Sequence, residues 1–239
     1  MKNRLSEIIS SSKSIVFFGG AGVSTESGIP DFRSVDGLYN QKYDYPPEEI
    51  LSHTFFENNT AEFYRFYREK ILAYAEKAEP NAAHKKLAEL EEKGLLSAVI
   101  TQNIDGLHQA AGSKNVLELH GSVLRNYCTR CGKSFSLCDM MNSESVPHCT
   151  CGGVIKPDVV LYEEALDSDT LTSSVRAIAK ADTLIIAGTS MTVYPAAGLV
   201  NYFSGKNLVV INMSPTSADS RADMLICGKV GEVLSEVEI

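Results

Sequence analysis

Cysteines are the residues whose spacing predicts the most specific chemistry in this chain of 239 residues. Cys128 and Cys131 form a C-x-x-C pair, and Cys149 and Cys151 form a C-x-C pair further along. Both pairs stand in glycine-bearing turns, and four thiolates in two close pairs suit tetrahedral Zn²⁺. Because four protein ligands leave no open coordination position, we expect one structural zinc ion.

The second cysteine pair is one residue shorter than usual, which leaves Cys138 and His148 as substitute ligands. The alternative is that the four cysteines are small core residues, but the surrounding segment is too polar to need them for packing. Cys227 is isolated in a strand-like run and is predicted to be a core residue.

A glycine-rich turn, GGAG, directly follows the apolar run IVFF of residues 15–18. Ser24, Thr25 and Glu26 come next, and because their side chains can cap a helix, we predict that one begins there. Free N–H groups at a helix start attract phosphate. The spacing of Gly20 and Gly22 is not the GxGxxG of ordinary dinucleotide folds, and a plain turn is the alternative.

Polar or glycine residues also stand where the other predicted strands end, and the carboxyl ends of parallel strands meet at one edge of a sheet. His120 is placed there before a glycine, and the usual histidine pKa suits a general base; a hydrogen-bonded structural histidine is the equal alternative. The strand-end groups predicted to converge are Gly20, Ala21, Gly22, Gln102, Asn103, Ile104, Asp105, His120, Gly188, Thr189, Ser190 and Asn212.

Short apolar strands alternate with helices along most of the chain, which predicts an α/β fold with a doubly wound parallel sheet. From about residue 122 to 157 the chain is cysteine-bearing and poor in apolar runs, so we predict a small inserted module there. The predicted strands are residues 15–18, 98–101, 116–119, 159–161, 183–187, 207–211 and 225–226. The predicted helices are the N-terminal segment, residues 60–78, 82–93, 169–180 and 231–238, and a segment after Pro195.

Charge and composition restrict the partners and the compartment. A net charge of −8 argues against broad, sequence-independent nucleic-acid binding, which needs a basic surface. No run approaches the roughly 20 apolar residues that cross a bilayer, and the N-terminus does not resemble a signal peptide. Cysteines clustered for metal rather than paired as disulfides are typical of the cytoplasm, where we expect this chain to work.

Taken together, the motifs and their order resemble the sirtuin family of NAD-dependent protein deacylases over essentially the whole chain. The stretches that carry the resemblance are GGAGVSTESGIPDFRS, TQNIDGLH, LHG, the paired cysteines, KPDVVLYEE, AGTSMTVYPAA and VINMSP. The resemblance implies a Rossmann-like NAD-binding domain built from residues 1–37, 82–121 and 158–239. It also implies a smaller domain made of a helical module, residues 38–81, and a zinc-binding module, residues 122–157.

Site residues follow from the resemblance, motif by motif. Gly20, Ala21, Gly22, Thr25, Phe32 and Arg33 would hold the diphosphate and ribose of NAD, with residues 29–39 as a loop that closes over it. Gln102, Asn103, Ile104 and Asp105 would surround the nicotinamide and its ribose, while Gly188, Thr189, Ser190, Asn212, Lys229 and Val230 would hold the adenosine half. Val159, Val160, Leu161 and Tyr162 would pair with an extended substrate peptide through backbone hydrogen bonds.

The implied reaction consumes NAD and transfers the acetyl group of an acetylated lysine to ADP-ribose, with release of nicotinamide and O-acetyl-ADP-ribose. His120 would be the general base, with Asn103 and Asp105 as further catalytic residues. The alternatives are a mono-ADP-ribosyltransferase and a non-catalytic NAD-binding zinc protein.

Three departures from the family pattern stand out. Besides the short C-x-C pair, Glu163 and Glu164 replace the usual Gly-Glu after the substrate strand, which is expected to alter peptide preference. Tyr67 follows Tyr64 where members that prefer succinyl groups have Tyr-x-x-Arg. We therefore expect acetyl or other neutral acyl groups on the substrate. The apolar and aromatic residues of this helix have a helical spacing and are predicted to be core.

Overall fold

Nine strands and ten helices are present in the computed structural model, which describes residues 2–32, 37 and 45–239. The strands are β1 Ile15–Gly19, β2 Leu96–Thr101, β3 Val116–Glu118, β4 Gly121–Cys128, β5 Ser134–Ser136, β6 Ile155–Val159, β7 Thr183–Ala187, β8 Asn207–Asn212 and β9 Met224–Cys227. The helices are α1 Lys2–Ser11, α2 Pro47–Ile50, α3 His53–Asn58, α4 Thr60–Tyr67, α5 Ala73–Ala75, α6 Ala82–Glu92, α7 Leu107–Ala110, α8 Leu137–Met141, α9 Ser168–Lys180 and α10 Val230–Ser235. A π-helical turn, Arg68–Leu72, joins α4 to α5.

Six strands form one parallel sheet in the order β3-β2-β1-β7-β8-β9. The chain therefore runs outward from β1 to β3 on one side, then returns to place β7 on the other side of β1. Reversal of strand order at β1 and β7 creates the crevice where doubly wound folds bind ligands. The predicted α/β class and Rossmann-like sheet are confirmed.

Both faces of this sheet are covered, which the alternation along β1 illustrates. Ile15 and Phe17 pack with α1, α6 and α10, whereas Val16 and Phe18 point to the opposite face, toward α9 and the 3₁₀ turn Ala196–Tyr202. All four side chains are fully buried. A strand buried on both faces needs a continuous apolar run, and IVFF is such a run.

A second, antiparallel sheet of β5, β4 and β6 lies outside the parallel one. The predicted parallel strand at residues 159–161 is wrong, because the strand here is β6, which pairs Ile155 with Cys128 and Val159 with Gly121. Lys156 and Pro157 interrupt its apolar pattern. Lys156 is nevertheless buried, and its ammonium binds the Glu164 carboxylate at 3.1 Å.

The helical segment and the cysteine-bearing segment share one hydrophobic core. Phe56, Phe63 and Tyr64 from the helices pack with Val123 and Ile155 from the antiparallel sheet. The Tyr64 hydroxyl donates a hydrogen bond to the Ile155 carbonyl, which ties the two segments together. The aromatic residues of α4 are thus core, as predicted from their spacing.

Two histidines lie buried beneath the parallel sheet edge, His84 on α6 and His108 on α7, with ring centroids 4.7 Å apart. Nε2 of His84 and both ring nitrogens of His108 have no hydrogen-bond partner among the described residues. Burial lowers the pKa of His84 to about 4 and that of His108, helped by His84, to about 3. Both rings are therefore neutral at neutral pH.

This pair predicts acid-sensitive stability. Unfolded histidines bind protons near pH 6.5 but the folded pair does not, so the free energy of unfolding falls as pH drops below 6.5 and levels off near pH 3 to 4. Each histidine accounts for roughly 2 kcal/mol lost at pH 5. Measured by urea unfolding, the free energy of unfolding of His108→Leu should fall by about 2 kcal/mol less between pH 7 and pH 5 than that of the wild type. Equal pH dependence would contradict this assignment.

Candidate functional site

The crevice between β1 and β7 is closed at its base by two glycine loops in direct contact. The amide of Gly20 donates to the Ala187 carbonyl at 3.2 Å, and that of Gly22 donates to the Gly188 carbonyl at 2.8 Å. A Cβ at Gly22 would come within 2.8 Å of the Gly188 Cα. Gly188 itself has a φ of 59°, in the left-handed region. The glycines are thus required by the packing of one loop on the other.

The predicted helix after this turn is wrong: two 3₁₀ turns, Ala21–Val23 and Thr25–Ser27, take its place. The amides of Gly20 and Gly22 are already used within the protein, so contact between this loop and a phosphate would use other groups of the loop. Glu26 accepts a hydrogen bond from the Gly231 amide at 2.6 Å instead of capping a helix. That bond fixes the first loop against the start of α10.

A hydrogen-bond chain connects the first loop to the end of β2. Asn103 Nδ2 donates to Ser24 Oγ at 3.0 Å, and Ser24 Oγ donates to Asp105 Oδ2 at 2.7 Å. Burial raises the pKa of Asp105, although the Leu107 amide and Ser24 both stabilise its charged form. Ser24 is not among the predicted site residues, because a serine after a glycine turn is typical of a helix cap. Its partner Asp105 lies far along the chain, so the sequence alone does not connect the two.

His120 is oriented by the backbone of the same β2 end. Its Nδ1 lies 2.9 Å from the Gln102 carbonyl, which can only accept, so Nδ1 carries the proton and Nε2 is the basic atom. The Gln102 side chain donates to Thr189 Oγ1 at 2.9 Å, linking this edge to the β7 loop. Burial lowers the pKa of His120, which keeps the ring neutral at neutral pH.

One cavity of about 590 Å³ brings the predicted strand-end groups together. It extends from the glycine loops to the helical segment, where Leu51, Tyr67 and Ile71 line it. Predicted Arg33 and most of the predicted closing loop lie outside the described residues. The predicted residues that line the cavity are Gly20, Ala21, Gly22, Thr25, Phe32, Gln102, Asn103, Ile104, Asp105, His120, Gly188, Thr189, Ser190, Asn212, Lys229 and Val230.

Val159, Val160, Leu161 and Tyr162, the predicted peptide-pairing segment, also line the cavity. Three of their N–H groups already have partners: Val160 donates to the His120 carbonyl, Leu161 to Glu164 Oε2 and Tyr162 to the Leu51 carbonyl. Backbone pairing with a peptide would therefore use other groups of this segment. Glu163 has a φ of 76°, a strained conformation at the position where the family has glycine. Its carboxylate accepts a hydrogen bond from the Thr54 amide at 2.9 Å, and this bond holds the residue in that conformation.

The four clustered cysteines meet at one point, with their sulfur atoms all within 4.8 Å of one another. Sγ of Cys128 lies 3.4 Å from Sγ of Cys151, and Sγ of Cys131 lies 3.7 Å from Sγ of Cys149. Zinc–sulfur bonds of about 2.3 Å in a tetrahedron place sulfur atoms about 3.8 Å apart, so the donor set fits zinc. The short C-x-C spacing reaches the cluster, and neither Cys138 nor His148 is part of it.

Cys227, in contrast, is exposed and not a core residue as predicted, because β9 is the edge strand of the parallel sheet. No helix among the described residues is long and apolar enough to cross a membrane.

A family profile described as the Sir2 family matches residues 20–195, which is more than half of the chain. The chain belongs to the Sir2 family. Two similar proteins, from Clostridium acetobutylicum and Clostridium perfringens, are each named NAD-dependent protein deacetylase. Each is 59% identical over 98% of this chain and 97% of its own length. The predicted sirtuin resemblance is confirmed.

Solved Sir2 structures are similar over nearly the whole fold. One, a complex with p53 peptide and NAD⁺, is 41% identical with a TM-score of 0.88, covering 99% of this chain and 97% of that one. Another, a histidine-to-alanine variant with deacetylated p53 peptide and 3′-O-acetyl ADP-ribose, is 41% identical with a TM-score of 0.92 over the same shares. The similarity therefore includes both the parallel sheet and the smaller antiparallel one.

The cysteine cluster predicts one tightly bound zinc per chain. Cys151→Ser should lose most of the metal and unfold the antiparallel sheet locally, because this small sheet depends on the metal for its stability. Cys138→Ser, which changes an exposed cysteine outside the cluster, is the matched control and should keep full zinc. Zinc content by mass spectrometry, with near-ultraviolet circular dichroism, makes the comparison. Full zinc in Cys151→Ser would contradict the four-cysteine assignment.

Proposed function

We propose that this chain is an NAD-dependent protein lysine deacetylase that transfers the acetyl group of a modified lysine to ADP-ribose. The observation that carries the proposal is the His120–Gln102 contact inside a cavity lined by all the predicted NAD residues that the structure describes. Relatives at 59% identity are named NAD-dependent protein deacetylases. Solved Sir2 structures that share the fold are complexes with p53 peptide and NAD⁺, or with deacetylated p53 peptide and 3′-O-acetyl ADP-ribose.

NAD, when bound, supplies the ribose carbon that accepts the acyl oxygen as nicotinamide leaves. Nε2 of His120 then removes a proton from a ribose hydroxyl, and the Gln102 carbonyl stabilises the positive ring that results through Nδ1–H. Asn103 and Asp105 take the nicotinamide side of the cavity, and Ser24 fixes both side chains by hydrogen bonds. The β7 loop and Asn212 take the adenosine half.

The acetylated lysine belongs to a protein substrate that docks along residues 159–162. The zinc stabilises the antiparallel sheet that presents this segment, and zinc takes no part in the chemistry. We infer a cytoplasmic location from the free cysteines, four of them clustered for metal. With a net charge of −8, strong nucleic-acid binding is not expected.

The general-base role of His120 predicts that His120→Ala folds normally but loses deacetylation by about 10²- to 10⁴-fold, the usual contribution of a positioned base. An assay with NAD and an acetyl-lysine peptide should measure three products together: nicotinamide, free lysine peptide and ADP-ribosylated protein. Wild-type protein should form nicotinamide and free lysine peptide in equal amounts. Near-normal turnover by His120→Ala would rule out this residue as the base. If the wild type forms nicotinamide and ADP-ribosylated protein but no deacetylated peptide, the result would favour a mono-ADP-ribosyltransferase.

The pH profile follows from the same ring. A base must be neutral to accept a proton, and burial lowers the pKa of His120 below its ordinary 6.5. The acid-side fall in rate at saturating substrate should therefore reach its midpoint below pH 6.5. Initial rates between pH 5 and 8, at pH values where the fold is intact, test this. A fall that is already half complete above pH 7 would contradict it.

A further inference from the structure

Glu163 is the departure from the family pattern that the proposed reaction leaves unexplained. It directly follows the peptide-docking segment, residues 159–162, and it lines the cavity. Its φ of 76° lies in the left-handed region, which glycine adopts freely and glutamate does not. A side chain that is held in such a conformation needs a contact that compensates for the strain.

The compensating contact is with the start of α3. The Glu163 carboxylate accepts a hydrogen bond from the Thr54 amide at 2.9 Å. The amide and the side chain of Thr54 both lower the pKa of Glu163, so the carboxylate is charged at neutral pH. Because Glu163 is exposed, this contact does not build the core. Its effect falls on the two stretches of backbone that it joins.

Backbone hydrogen bonds join the same two stretches. The Tyr162 amide donates to the Leu51 carbonyl at 3.0 Å, and the His53 amide donates to the Tyr162 carbonyl at 3.0 Å. The next residue after Glu163 adds a further link, because a carboxylate oxygen of Glu164 lies 2.8 Å from Nδ1 of His53. Three consecutive residues at the end of the docking segment are therefore bonded to the start of α3.

The other end of the docking segment is joined to the proposed base. The Val160 amide donates to the His120 carbonyl at 3.0 Å. Between the two ends, the Leu161 amide donates to Glu164 Oε2 at 2.8 Å. A docking segment that is ordered before the peptide arrives avoids the cost of ordering it on binding. A residue that fixes the segment can thus increase peptide affinity without touching the peptide.

We propose that Glu163 is a positioning residue for the protein substrate, which holds the docking segment against the start of α3 and so increases affinity for acetylated peptides whatever their sequence. This inference rests on the proposed deacetylase function, in which the peptide docks along residues 159–162. Because Oε2 of Glu163 is engaged by Thr54, loss of the side chain weakens peptide binding and leaves the chemical step unchanged.

Position 163 offers a matched pair of variants. Glu163→Gln removes the charge but keeps the length of the side chain and an oxygen that can accept from the Thr54 amide. Glu163→Asn has the same amide group on a chain one methylene shorter, which does not reach Thr54, and asparagine tolerates a positive φ. Glu163→Gly restores the family residue, relieving the strain and removing the contact. Circular dichroism melting checks that all three variants are folded at the assay temperature.

The test measures peptide KM, NAD KM and kcat with acetyl-lysine peptides that carry either basic or acidic residues beside the modified lysine. We expect Glu163→Gly and Glu163→Asn to raise peptide KM by about 3- to 10-fold, the usual worth of one hydrogen bond, and equally for both kinds of peptide. NAD KM and kcat should stay unchanged, and Glu163→Gln should keep the wild-type peptide KM. Dissociation constants of the peptides, measured by calorimetry without NAD, should change by the same factors.

The remaining outcomes separate this role from a direct contact and from the proposed function. A wild-type peptide KM in Glu163→Gly overturns the positioning role, as does an effect on kcat or NAD KM alone. A rise in Glu163→Gln as large as that in Glu163→Gly, or a rise confined to basic peptides, also overturns it, because the charge would then contact the peptide directly. In all these cases the wild type still deacetylates its peptides. No turnover of any peptide by the wild type would instead reject the proposed function itself.

Discussion

Contact between two glycine loops at the centre of the parallel sheet is the constraint on which the site depends. Gly22 lies against Gly188 so closely that a single added carbon at either position would overlap the other loop. Because β1 and β7 are neighbours at the point where strand order reverses, their loops diverge above this contact and leave the crevice open. A larger residue here would separate the loops and displace both halves of the cavity lining.

The polar groups of the site are positioned by hydrogen bonds between strand ends rather than within them. Gln102 joins the β2 end to the β7 loop through Thr189 and orients His120 through its carbonyl. Ser24 joins the first loop to Asn103 and Asp105. Each strand end is therefore held by its neighbours, and the site is largely formed before any ligand enters. Such preorganisation reduces the cost of orienting catalytic groups during the reaction.

Sequence reasoning succeeded where a local pattern determines the structure. Residues 183–187 are an uninterrupted apolar run in the middle of the sheet, and the predicted strand coincides with β7. The strand prediction failed at β6, where Lys156 and Pro157 interrupt the apolar pattern. The buried Lys156 ammonium pairs with the Glu164 carboxylate, and no local sequence pattern reveals that partner. The helix expected after Gly22 also failed, because the amides that would begin it bond to the β7 end.

Long-range contacts explain what the sequence could not show at the site. Glu26 resembles a helix-capping residue until Gly231, at the far end of the chain, is placed beside it. Ser24 has an ordinary sequence context, and only the fold shows that its hydroxyl links the side chains of Asn103 and Asp105. The C-x-C spacing left the ligand set open, and the turn through Gly152 and Gly153 brings both sulfur atoms to the cluster.

If the cavity breaks NAD in order to remove an acyl group, the product that carries the acyl group shows it. Purified protein should be incubated with NAD and a peptide whose acetyl-lysine carries a ¹³C-labelled acetyl group, and all products should be quantified by mass spectrometry. We expect the label to leave the peptide on ADP-ribose, with one nicotinamide released for each acetyl group transferred. Labelled free acetate formed without nicotinamide release would contradict it.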